Sequence, residues 1–159
     1  MTYEETLHYL YTSIPVFQHS GASAYKPGLG TSIALDDYLG NPHKAYKTIH
    51  VAGTNGKGSV SHLLAAILRQ SGFKVGLYTS PHLVDFRERI RVNGKKISQD
   101  YVVDFVERHR SFFEPLHPSF FELTSSMAFE YFRDQQVDYA VIESGLAVVW
   151  TVRTSSPRS

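Results

Sequence analysis

At 159 residues, with 42% hydrophobic and 19% charged side chains, the chain has the size and make-up of one folded core, which excludes a disordered or low-complexity polypeptide. A net charge of +1 gives no electrostatic case for nucleic acid or an anionic membrane as partner, and the lack of cysteine excludes disulfides and thiolate metal sites. With neither a basic-then-apolar leader nor an apolar run of roughly 20 residues, the expectation is a soluble cytoplasmic monomer, with no nucleic acid and no membrane partner.

Thr2 is placed to cap a first helix, with Glu4 and Glu5 in its opening turn; Leu7, Leu10 and Tyr11 recur at helical spacing until about Pro15. Residues 18–30 are polar and glycine-rich and read as a loop, and Ile33 to Leu39 as a short helix ended by Gly40 and Pro42. A β-branched apolar run from Thr48 stops abruptly at Gly53, and a helical pattern resumes near Val60. Leu63, Leu64, Ile67 and Leu68 form its apolar stripe, with Gly72 where a left-handed cap belongs. Lys74 to Tyr78 reads as a second strand. Strand, helix and strand in that order predict an α/β fold with a parallel sheet and right-handed crossovers. Arg87 to Ile97 carries Asn93-Gly94, a strong hairpin signal. Ser98 caps a helix from about Gln99 to Phe113. Ser119-Phe120-Phe121-Glu122 fits a capping box, opening a helix that buries Phe121, Met127, Ala128, Tyr131 and Phe132. Val137 to Glu143 reads as a last buried strand.

Gly53-Thr54-Asn55-Gly56-Lys57-Gly58-Ser59 lies between the first strand and its helix. Glycines let backbone N–H groups approach an anion, and the helix that follows points its positive end at it. Lys57 can reach terminal phosphates and the Ser59 hydroxyl can ligate magnesium, which makes ATP the expected ligand. Gly58 stands where the generic Walker pattern has serine or threonine, so that expression is not met, and a glycine-rich turn without a ligand is the bland alternative.

The string from Gly53 to Ser59 resembles the ATP loop of the Mur-ligase-like family, specifically its folate branch, the folylpolyglutamate and dihydrofolate synthases. The resemblance implies a P-loop-type parallel sheet flanked by helices, an incomplete central ATPase domain. It implies that Thr54, Asn55, Gly56, Lys57, Gly58 and Ser59 hold ATP. On composition alone Ser80-Pro81 is a turn and His82 a surface residue; the resemblance implies that Ser80 helps bind magnesium and sets His82 near the substrate. Asp85 to Val92 alternates charge and bulk like a solvated hairpin face. The family has a similar stretch in the loop enclosing the substrate, where Arg89 could pair with glutamate carboxylates. Ser119, Phe120, Phe121 and Glu122 need no ligand as a capping box, yet the corresponding segment of the family lines the pterin pocket. Glu143 ends an apolar run, where a carboxylate is costly unless paired or metal-bound. The resemblance makes it a magnesium ligand with Ser59 and Ser80, although Ser144 departs from the family's form.

The activity implied for the parent protein is ATP-dependent ligation of L-glutamate to dihydropteroate and/or folates through an acyl phosphate. Lys57 and magnesium would neutralise charge, and no residue would be a nucleophile. A peptidoglycan-type ligase is the rival of the same fold; Thr79-Ser80-Pro81-His82 and the hairpin arginines argue against it. A generic kinase or nucleoside triphosphatase is more distant, and a non-catalytic remnant binding nucleotide at most is the rival from another class.

The resemblance covers roughly residues 20 to 146 and then breaks off. The family continues glycine-glycine-arginine-leucine-aspartate, a small residue, then threonine-asparagine, whereas this chain reads Ala147-Val148-Val149-Trp150-Thr151-Val152-Arg153. One set of synonymous codons for residues 147–159, re-read with a single G placed before it, encodes Gly-Gly-Arg-Leu-Asp-Cys-Thr-Asn-Ile-Ile-Thr-Pro-Val. The expectation is a one-base deletion near codon 147, an out-of-frame tail and an absent C-terminal ligase domain. Residues 1–146 would then carry an unfinished sheet edge, with marginal stability and no substantial ligase activity.

Overall fold

The structure, a computed structural model, describes residues 1–14, 30–51, 57–80 and 84–143, with backbone alone at Lys57 and Gly58. In chain order its elements are α1 (Tyr3–Ser13), α2 (Gly30–Tyr38), β1 (Lys47–Val51), α3 (Lys57–Gln70), β2 (Val75–Tyr78), β3 (Ile90–Val92), β4 (Lys95–Lys96), α4 (Gln99–Phe113), α5 (Phe120–Asp134) and β5 (Tyr139–Glu143). The loop expected before Gly30 and the tail expected from Ala147 lie outside the described residues. Two compact units are present, Met1–Gly40 with Ser98–Ala128 and Asn41–Ile97 with Phe129–Ser159, and the division falls within α5.

The first unit is helical. Thr2 Oγ1 accepts from the Glu5 N–H at 3.0 Å while the Glu5 carboxylate accepts from the Thr2 N–H at 2.8 Å, so α1 opens with a complete capping box rather than the single cap expected. The Met1 ammonium pairs with Glu107, and the Tyr9 hydroxyl donates to Glu114 at 2.7 Å, which ties α1 to the α4 side of the unit. Leu10, Leu35, Val102, Phe105, Val106, Phe113 and Leu123 are its buried core. The Tyr38 ring lies flat on Phe112 with centroids 3.9 Å apart and bonds His109 Nδ1 at 3.1 Å, which fixes the end of α2. The chain then turns through Gly40 at φ +85° and Asn41 at φ +53°.

The second unit holds a five-stranded sheet ordered β1-β5-β2-β3-β4. The strands flanking the phosphate helix are not neighbours: β5 lies between β1 and β2 and runs parallel to both. The hairpin β3–β4 adds on antiparallel, its turn formed by Asn93 at φ +48° and Gly94 at φ +83°. Asn93 Oδ1 accepts from the Val75 N–H at 2.9 Å and so fastens the turn to the start of β2. Residues 86–89 form a 3-10 turn rather than strand. Asp85 and Glu88 cap it reciprocally, and Phe86 and Arg89 are buried.

The helix after the phosphate loop begins at Lys57, earlier than the apolar pattern suggested, because Lys57, Gly58 and Ser59 are polar or small and give no periodic signal. Its expected stripe divides. Ala65 and Leu68 pack on Val75, Leu77 and Val141, whereas Leu63 and Ile67 are 62% and 52% exposed, with Val60 at 51% beside them. Gly72 takes φ +98° and ends the helix as expected.

At the centre of the sheet, a Cβ on Gly76 would sit 2.6 Å from the fully buried Phe132 ring. Strand β2 thus needs glycine because α5 presses an aromatic ring onto its backbone. Gly76→Ala is expected to lower stability by about 1–3 kcal/mol, the usual cost of overpacking a core. Urea unfolding followed by circular dichroism checks this, and an unchanged midpoint would show that Phe132 can move away.

Candidate functional site

The parallel strands bring their carboxyl ends to one edge of the sheet, with Val51 opposite Glu143 and Tyr78 opposite Ile142. In open α/β sheets that edge carries the ligand site. From it leave the phosphate loop after β1 and the Thr79-Ser80 turn after β2, with Glu143 between them at the tip of β5.

Glu143 is 3% exposed, and its Oε1 accepts a hydrogen bond from the Ser80 backbone N–H at 3.1 Å. Among the described residues this is its one hydrogen bond. A buried carboxylate with several acceptor sites and so few donors is costly unless a further donor or cation meets it. One residue earlier, the Thr79 N–H donates to the Arg89 carbonyl at 2.9 Å. The Thr79-Ser80 turn is therefore held from both sides, to β5 by Glu143 and to the 3-10 turn by Arg89.

That 3-10 turn is itself well braced. Asp85 Oδ1 accepts from the Arg87 N–H at 3.0 Å, and Oδ2 meets Lys96 Nζ at 3.2 Å and Arg87 Nη2 at 3.3 Å. Burial alone would raise the Asp85 carboxyl, but these bonds and charges outweigh it and hold the group below its ordinary range. Arg89 is 8% exposed and Ile90 and Val92 are buried, so the segment is not the solvated face that its charge alternation allows. Sequence reading missed the bracing role of Asp85, although the Asp85-x-x-Glu88 spacing is itself a capping signal.

The sequence-derived site residues separate as follows. Ser80 and Glu143 are in direct contact through a main-chain N–H, and Arg89 touches the neighbouring residue through its carbonyl. Ser59 stands exposed in the first turn of α3, the helix that opens at Lys57. Thr54, Asn55, Gly56 and His82 lie outside the described residues. Ser119, Phe120, Phe121 and Glu122 belong to the other unit, where the expected capping box is complete: Ser119 N–H to Glu122 Oε1 at 2.8 Å, Glu122 N–H to Ser119 Oγ at 3.1 Å. Glu122 Oε2 also accepts from Ser32 Oγ at 2.9 Å, a partner that no sequence signal announced. Phe120 is 4% exposed and stacked on Tyr11, so of the two aromatics Phe121, half-buried, is the one with free ring surface.

The candidate residues offer oxygen ligands: the Glu143 carboxylate and the hydroxyls of Ser59 and Ser80. Hard-oxygen sets of this kind suit magnesium, which commonly takes one or two protein ligands and completes its shell with phosphate and water. No group of three or more His, Cys, Asp or Glu side chains gathers among the described residues, so a fuller protein cage is not on offer there.

A mostly parallel sheet flanked by helices, with a helix following β1 and an acid at the tip of the strand beside it, defines an α/β domain. Relatives narrow the class. The chain is 40% identical over 153 residues to a probable bifunctional folylpolyglutamate synthase/dihydropteroate synthase of Haloferax volcanii, an alignment spanning 92% of this chain and 17% of that protein. It is 37% identical to the folylpolyglutamate synthase of Lacticaseibacillus casei over 92% of this chain and 34% of that one. The crystal structure of a Thermotoga maritima folylpolyglutamate synthase superposes with a TM-score of 0.79 at 46% identity, covering 90% of this chain and 33% of that one. A structure of a folylpolyglutamate synthase with AMPPCP and folate superposes at 0.77 with 36% identity, over 91% of this chain and 35% of that one. No protein-family model matches the chain. By sequence and fold the chain belongs with the folylpolyglutamate and dihydrofolate synthases, and it spans between 17% and 34% of the length of the two curated relatives named here.

The Glu143 bond separates two substitutions. Glu143→Gln keeps an acceptor for the Ser80 N–H and is expected to cost under about 1 kcal/mol, while Glu143→Ala leaves that N–H unpaired and is expected to cost about 1–3 kcal/mol. Chemical denaturation measures both. Equal losses would mean that the Ser80 bond contributes nothing.

Proposed function

We propose that this chain is the nucleotide-holding portion of an ATP-dependent ligase that joins L-glutamate to dihydropteroate or to folates. The observation that carries the reading is the buried Glu143 carboxylate bonded to the Ser80 N–H at the sheet edge where the Lys57 helix begins. The substrate carboxylate attacks the γ-phosphorus of ATP, ADP leaves with the bridging oxygen, the glutamate amine adds to the acyl carbon, and phosphate departs. Gly53 to Gly58 would cradle the phosphates with backbone N–H groups, and Lys57 would place a positive charge against them. Ser59, Ser80 and Glu143 would hold magnesium, which when bound offsets phosphate charge and fixes its geometry. Arg89, buried behind the Ser80 turn, and His82 would border the substrate, with Arg89 setting the shape of that turn through its carbonyl. Phe121 would offer a ring face to the pterin, and Glu122, engaged by Ser119 and Ser32, would position the start of α5.

Among the described residues no helix is long and apolar enough to cross a membrane.

The test is to sequence the coding DNA across codons 140–160 and downstream, express the restored frame, and measure ADP release with dihydropteroate or tetrahydrofolate. ADP release is expected to depend on L-glutamate and to fall at least about 100-fold in Lys57→Ala. ADP release that ignores glutamate would replace the ligase with a nucleoside triphosphatase. An in-frame stop with no homologous continuation would leave a remnant.

A further inference from the structure

A second cleft lies in the sheet-bearing unit, on the side of β2 covered by α3. It encloses about 190 Å³ and is lined by His62, Ala65, Ala66 and Arg69 of α3, Val75 and Leu77 of β2, and Arg91, Asn93 and Gly94 of the hairpin. The Asn93-Gly94 turn is bonded to Val75. The hairpin end of the cleft thus lies at the amino end of β2, whereas the loop before α3 leaves the carboxyl end of β1.

The lining has a definite chemistry. Its floor is apolar, with Val75 and Leu77 only 2% and 6% exposed, and the alanines opposite them leave the space open. Its polar lining is His62, Asn93 and two guanidinium groups, and no carboxylate is among the lining residues. Asn93 is committed to the Val75 N–H. Arg91 Nε donates to the Glu88 carbonyl at 3.3 Å, which anchors the side chain and leaves its terminal nitrogens without a bonded partner among the described residues. Arg69 makes no ion pair or hydrogen bond among them either, and its Nη1 lies 2.9 Å from where a Gly94 Cβ would be. Two arginines thus border one small apolar recess with no acid among its lining to neutralise them, although each is well able to fork onto a carboxylate.

We propose that this cleft binds a small organic carboxylate, its anionic group met by Arg69 and Arg91 and its methylenes laid on Ala65, Val75 and Leu77. The cleft is small, and its apolar floor suits a chain of a few carbons carrying an anionic end. The site is separate from the phosphate edge, and its failure would leave the proposed ligase reading untouched.

Glutarate is the probe. The full chain is titrated with it at constant ionic strength, reading backbone amide shifts, with inorganic phosphate and chloride as comparisons. Saturable shifts are expected at residues 62–69, 75–77 and 91–94, and glutarate affinity should fall at least tenfold in Arg69→Gln and in Arg91→Gln. Ala66→Leu, which leaves both arginines in place and narrows the recess, should weaken glutarate as well and confirms the site if an arginine variant does not fold. Lys57→Ala should leave glutarate binding unchanged. Phosphate binding as tightly as glutarate would overturn the organic-anion assignment. Shifts confined to the start of α3, or unaltered by all three cleft variants, would overturn the site itself.

Discussion

The sheet-bearing unit depends on one insertion: β5, the last described strand in sequence, lies between β1 and β2 and pairs in parallel with both. Neither flanking strand has the other as a partner, so without Tyr139–Glu143 the phosphate strand and the hairpin would have no common sheet. Val141 is fully buried and packs with Val75 and Leu77, which joins hydrogen-bond pairing to core burial in the same residues. Parallel pairing of this kind closes long loops, and its entropy cost must be met before any of it is stable. The strand that completes the sheet is also the one that carries Glu143 to the candidate site. Structure and site therefore share a single dependence.

Much of this was legible in the chain. The caps at Thr2 and Ser98, the Ser119-Glu122 box, the Gly72 terminus and the Asn93-Gly94 turn rest on local chemistry, which sequence states directly, and each is present. The strand order was not legible, because nothing local in Val137 to Glu143 says which strands it will separate. The start of α3 was missed for a related reason: a glycine-rich first turn carries no periodicity, and the backbone there is set by the loop before it. The 3-10 turn at 86–89 was hidden by its own charge alternation, which resembles an exposed hairpin until Phe86 and Arg89 are seen to be buried.

The candidate site divides along the same line. Glu143 stands out in the sequence because a carboxylate closing an apolar run needs an explanation, and the structure buries it against the Ser80 N–H. Its partner was less readable, since Ser80 contributes a main-chain N–H that any residue but proline could supply. The tie from Thr79 to the Arg89 carbonyl is likewise invisible in side-chain identity. Two other features follow from the sheet's layout. Strand β1 has one partner among the described residues, and Val60, Leu63 and Ile67 expose an apolar stripe on α3. An open edge and an apolar patch of this kind promote self-association, so the isolated chain is best handled at low concentration.

The central claim is that the edge formed by α3, the Thr79-Ser80 turn and the tip of β5 is where a nucleotide and its metal meet. Paramagnetic broadening tests it most directly: manganese replaces magnesium in the presence of AMPPCP, and amide signals of the chain are followed. The account predicts nucleotide-dependent broadening centred on Lys57 to Ser59, Thr79-Ser80 and Glu143. Broadening that ignores the nucleotide, or that centres on surface acids away from this edge, would contradict it.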